Sequence, residues 1–226
     1  MENSSDKDFD EKLLQISTLN WKPWIGLNYS QARVLILGDS HYEDGDEWLD
    51  DPNATRNMIT NQGLNSSILA FSKSPLLRNI EKTILHQPST TYEERAKFWK
   101  RVSYVNLVQR LLPSREPKNR PTDDDFDIGW KTILSVSEII RPTVCIKLAI
   151  DGIGRLGYYL NNNDTDWKWN KDDFSKRPCS INLQNFEYNL KIIFINHPTG
   201  SYGFDYEHWA QVIENEVPHL RSAVLQ

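Results

Sequence analysis

The sequence predicts an α/β fold: a three-layer α/β/α sandwich on a short, mostly parallel four-stranded sheet. Three observations lead there. Val34-Leu35-Ile36-Leu37 and Ile192-Ile193-Phe194-Ile195 are unbroken apolar runs. Each stops abruptly in small and polar residues, Gly38-Asp39-Ser40-His41-Tyr42 in one case and Asn196-His197-Pro198-Thr199-Gly200-Ser201 in the other. Strands buried on both faces have this appearance. Strand patterns also alternate with helical ones, as expected of parallel strands joined by crossover helices. Finally, 226 residues with 38% hydrophobic content suit one domain with a substantial core and are too few for two full ones.

Residues 1–20 read as an N-terminal tail with a short helix between Phe9 and Ile16, and 21–226 as a single domain. Trp21 to Gly26 is an aromatic-rich opening loop, and Arg33 to Leu37 the first strand. The acidic, glycine-punctuated stretch from His41 to Asn65 reads as a long loop on the active side. Ser74-Pro75 is an N-cap followed by a first-turn proline, starting a helix that runs to Leu85. A second helix covers Tyr92 to Lys100, and Val102 to Val108 is the second strand. A basic loop with Arg110, Arg115, Lys118 and Arg120 follows. Phe126 to Ile140 has helical period and stops before Arg141-Pro142, and Thr143 to Ile150 is the third strand. Gly152 to Leu160 is a helix, followed by a polar loop from Asn161 to Arg177. Ser180 to Leu183 and Phe186 to Leu190 form a hairpin around Gln184-Asn185. Lys191 to Asn196 is the fourth core strand, and Tyr206 to Glu216 the closing helix.

The formal net charge of −5 argues against broad electrostatic binding to nucleic acid, which needs clustered Lys and Arg. Two cysteines, Cys145 and Cys179, without a CxxC pair give neither a disulfide framework nor a zinc site. The polar, acidic start is unlike a signal peptide, and no apolar run reaches membrane-spanning length. A cytoplasmic location is the expectation, with no metal, no organic cofactor and no membrane partner.

Sites in open α/β sheets form at the carboxyl ends of strands, so Asp39 and His197 are expected on one edge. Cleaving an N-glycosidic bond builds positive charge on the sugar and negative charge on the departing base. A carboxylate offsets the first and orients water; a neutral His donating to a base oxygen offsets the second. Reading a base outside its stack takes an amide for the edge and an aromatic for the face. Asp39, His197, Asn106 and Phe71 supply these four types.

The order of these segments resembles the uracil-DNA glycosylase superfamily from about Trp21 to Val212. Gly38-Asp39-Ser40-His41-Tyr42 stands where that family positions its water, and Tyr104-Val105-Asn106-Leu107-Val108 resembles its base-reading strand. Leu69-Ala70-Phe71-Ser72 with Ser74-Pro75 resembles its base-stacking and phosphate-facing stretch, and His197-Pro198-Thr199-Gly200-Ser201 its last motif. The resemblance implies a DNA-repair type of glycosylase. Asp39 and His197 are then catalytic, and Tyr42, Phe71 and Asn106 bind the base. Ser40, His41, Thr199 and Ser201 provide loop or phosphate contacts, and nucleic acid or a nucleotide is the partner. The family's third motif position is a carboxylate, an amide or a small residue; here it is Ser40, so the acid falls to Asp39, with Glu43 or Asp44 as substitutes. That departure also admits a descendant that binds a base without turnover. A second resemblance, to GDSL-type (SGNH) serine esterases, rests on Gly38-Asp39-Ser40 and on Asp205-Tyr206-Glu207-His208, with Ser40 as nucleophile.

Overall fold

The computed structural model describes residues 6–42, 51–64, 74–114, 116–185, 188–199 and 203–226. Its centre is four parallel strands: β2 (Val34–Gly38), β3 (Val102–Asn106), β4 (Val144–Leu148) and β7 (Asn189–Ile195). The expected sheet of four is extended at both ends to seven strands. β1 (Trp24–Ile25) adds antiparallel to β3. β5 (Lys168–Trp169) and β6 (Ser180–Gln184) add antiparallel beyond β7, giving the order β1-β3-β2-β4-β7-β6-β5. The expected hairpin is present as β6 and β7, but its second arm runs straight into the fourth core strand.

Alternation along the parallel strands divides the core. Leu35, Leu37, Val105, Cys145, Ile192 and Phe194 join one apolar cluster with Trp130 and Ile133 of α6 (Asp123–Ile140) and Leu156 of α7 (Ile153–Asn162). Val34, Ile36, Val102, Tyr104, Ile146 and Ile193 join a second cluster. That cluster includes residues of α4 (Pro75–Leu85), α5 (Tyr92–Arg101), α8 (Tyr206–Glu216) and α9 (Leu220–Leu225). Strands covered on both faces explain the near-continuous apolar runs.

Capping sets the helix starts. The Ser74 hydroxyl accepts from Leu77 N, and Pro75 occupies the first turn of α4. Thr91 with Glu94, and Thr122 with Asp125, form capping boxes at α5 and α6. The second box starts α6 at Asp123, three residues ahead of the expected Phe126. The stretch expected as a loop from His41 to Asn65 holds α3 (Ala54–Met58) and a π-helical turn, Ile59–Leu64. The N-terminal segment is tied down from Asp6, whose N–H bonds Ile25 O. Its α1 (Asp10–Leu13) is held by the Asp10 carboxylate on Arg56, and Thr18 bonds Thr132 on α6. The remaining short helix, α2 (Tyr29–Ala32), leads into β2.

Candidate functional site

Parallel pairing of β3, β2, β4 and β7 puts the carboxyl ends of all four on one edge. Asp39 follows β2, Asn106 ends β3, Lys147 lies near the end of β4, and Asn196-His197 follow β7. β4 separates β2 from β7, so Asp39 and His197 leave strands about 10 Å apart.

Asp39 is 9% exposed, and its Oδ1 accepts from Lys147 Nζ at 3.4 Å. Oδ2 accepts from none of the described residues. Lys147 is fully buried, and its Nζ also donates to Leu148 O at 2.5 Å. Burial pushes the ammonium pKa down, and the Asp39 charge pushes it back up. A lysine inside a buried parallel strand needs a carboxylate of this kind, because an unpaired buried charge is costly. Lys147 was not among the expected site residues. The signal for it was the one charge in the otherwise apolar run Val144-Cys145-Ile146-Lys147-Leu148.

Asn106 sits opposite Gly38 in the β2–β3 register and is 2% exposed. Its Oδ1 accepts from the Tyr104 hydroxyl at 3.0 Å, and Gln109 Nε2 donates to its backbone carbonyl at 2.6 Å. With Oδ1 engaged, Nδ2 is the free edge of the amide, and it donates to none of the described residues. Burial, and next the Asp39 charge, raise the Tyr104 phenol pKa, so the phenol stays a proton donor beside the carboxylate. Gly38 makes the arrangement possible: a Cβ there would lie 2.1 Å from Asn106 Oδ1 and 2.3 Å from the Tyr104 hydroxyl.

His197 is half-buried. Its Nδ1 lies 3.2 Å from the Thr199 backbone N–H and 3.0 Å from the Thr199 hydroxyl. A backbone N–H can only donate, so Nδ1 is the acceptor and the ring proton is assigned to Nε2. Asn79 of α4 anchors the same loop by donating to Pro198 O at 2.7 Å. Thr199, expected as a loop or phosphate contact, sets the His197 tautomer.

The remaining expected residues fall out differently. His41 is 7% exposed, with its ring edge-on to Trp21 at 4.9 Å and Nε2 3.2 Å from Thr55 Oγ1. Burial lowers its pKa from 6.5 to about 4, so the ring packed on Trp21 is neutral at pH 7. Tyr42 is half-buried and bridges to Leu112, continuing the β2–β3 pairing beyond the sheet. Ser40 Oγ is buried and has no hydrogen-bond partner among the described residues. Asp205 accepts from the His208 backbone N–H as the N-cap of α8, and the His208 ring lies against Trp209, 5.0 Å between centroids. No Ser40–His208 hydrogen bond is formed. Phe71, Ser201, Glu43 and Asp44 lie outside the described residues.

Among the described residues, no group of three or more His, Cys, Asp or Glu side chains is placed to hold a metal ion. Nor, among them, is any helix long and apolar enough to cross a membrane. Compared with known proteins, the chain matches no family model, and no curated protein matches it.

Proposed function

We propose that this protein hydrolyses the N-glycosidic bond of a nucleobase in DNA or a nucleotide. The observation that carries the reading is the His197 tautomer. With Nδ1 accepting from Thr199, the ring proton is carried on Nε2, and the strand leading to His197 ends on the sheet edge that also carries Asp39 and Asn106. In the proposed step, Asp39 Oδ2 orients a water towards the anomeric carbon and offsets the positive charge growing on the sugar. The carbon–nitrogen bond breaks and the base departs with the electron pair while His197 Nε2–H donates to the base oxygen that gathers the charge. The water oxygen bonds to the anomeric carbon and gives its proton to Asp39 Oδ2, from which it passes through solvent to the released base. Asn106 Nδ2 donates to a carbonyl on the base edge, and Lys147 holds Oδ1 so that the carboxylate presents its other oxygen. The three-layer α/β/α reading rests on the two apolar clusters, and the cytoplasmic one on two buried, unpaired cysteines.

The test is release of free base from oligonucleotides carrying uracil, oxidised or alkylated bases, and from free nucleotides. Asp39→Asn keeps the shape and removes the charge, and turnover is expected to fall about a hundredfold or more. His197→Ala gives a similar loss, and both act on kcat more than on binding. Asn106→Ala widens the choice of base. Base binding without release from any substrate would leave a sensing module and defeat the hydrolase reading.

A further inference from the structure

A cavity of about 610 Å³ opens at the carboxyl ends of β4 and β7, between the start of α7, the 3-10 turn Lys171–Ser175 and the start of α8. Its floor is Phe194, 1% exposed, and Phe174 and Trp209 add aromatic walls. Among the described residues, its polar side chains are Arg177, His208 and Asn196, and no carboxylate lines it. Two of these groups are held in place. Arg177 Nη1 donates to the carbonyls of Phe174 and Lys176 at 2.9 and 2.7 Å, while Nε and Nη2 donate to none of the described residues. His208 is fixed through its backbone by the α8 cap and through its ring by Trp209. None of Asp39, Asn106 or His197 lines the space.

We propose that this cavity binds a nucleoside monophosphate. A guanidinium and an imidazole in the lining, with no carboxylate among the described lining residues, favour a phosphate carrying several acceptor oxygens. Flat aromatic walls favour a ring stacked on them, and the Asn196 amide can both donate to and accept from a base edge. The volume falls within the range of small-ligand sites, and the carboxyl edge of a parallel sheet is where such ligands collect. The proposal does not depend on the hydrolytic reading, since a nucleotide held here touches neither Asp39 nor His197.

Titration calorimetry on the full chain tests it with adenosine and uridine monophosphates, the matching nucleosides, inorganic phosphate and benzoate. A monophosphate is expected to bind one to one. The nucleosides, inorganic phosphate and benzoate should each bind at least about tenfold more weakly, because each lacks either the ring or the phosphate. Arg177→Gln and His208→Gln should each weaken the monophosphate about tenfold and leave nucleoside binding unchanged. Both side chains are exposed, so the variants keep the fold, which far-ultraviolet circular dichroism confirms. Equal affinity for inorganic phosphate or benzoate would reduce the site to a simple anion site and overturn the proposal. So would the absence of saturable heat or indifference to both variants.

Discussion

Two residues beside the candidate site serve it through space and burial alone. Gly38 is required by what lies opposite it: a methyl group there would sit on the Tyr104–Asn106 hydrogen bond. Gly38→Ala should therefore push the Asn106 amide off the Tyr104 hydroxyl. The expected cost is about 1–3 kcal/mol, as for overpacking elsewhere, read from urea unfolding. Tyr104→Phe in the same background should recover part of it, and no recovery would mean the strain lies elsewhere. His41 makes a pH prediction. In the unfolded chain it takes up a proton near 6.5, whereas in the folded protein it does so only near about 4. Its contribution is thus fully present above pH 6.5 and is lost as pH falls towards 4. The gap corresponds to roughly 3 kcal/mol. Urea midpoints at pH 7.5, 5.5 and 4.5 should fall more steeply for the parent than for His41→Gln. Parallel curves would show that burial of this ring is not what sets the acid sensitivity.

At the scale of the element, β4 is the informative strand. It lies between β2 and β7, and its one charge is satisfied by the residue that follows β2. Removing one partner of a buried pair strands the other, so Lys147→Met should cost about 3–5 kcal/mol. The double variant with Asp39→Asn should cost clearly less than the sum of the two singles, because neither charge is then left alone. Additive costs in urea unfolding would mean the two groups do not interact. The long, well-signalled elements were legible in the sequence. Pro75–Leu85 and Tyr206–Glu216 occupy their expected bounds, and all four core strands appear within a few residues of theirs. The elements that escaped are short or start on charge. β1 and β5 have two residues each, too few to show a period, and the three aspartates opening α6 hid a helix start behind a run of like charge. For the site, the sequence indicated which strand ends carry polar residues. It could not indicate that Lys147 reaches across to Asp39, or that Thr199 fixes the His197 proton, because both depend on how strands and loops meet in space.

At the scale of the molecule, charge limits how nucleic acid can be held. The net charge is −5, and part of the positive charge is already held in ion pairs. In the loop that reads as basic, Arg110 pairs with Asp125 and Lys118 with Glu116. Elsewhere Arg155 pairs with Asp127 and Asp123, Lys176 with Asp173, and Lys191 with Glu216. A phosphate competing for these cations must displace a carboxylate, so counterion release on binding is small. Duplex DNA should therefore bind weakly at physiological salt through about two to four phosphates, giving a slope of log affinity against log salt of roughly −2 to −4. Fluorescence anisotropy of a labelled duplex between 50 and 200 mM salt measures it. A slope near −10, typical of strongly basic DNA binders, would mean that these ion pairs open on binding and that the acidic surface does not govern the encounter. No binding at any salt would turn the proposed substrate from DNA towards the free nucleotide, which the same base-release assay tests directly.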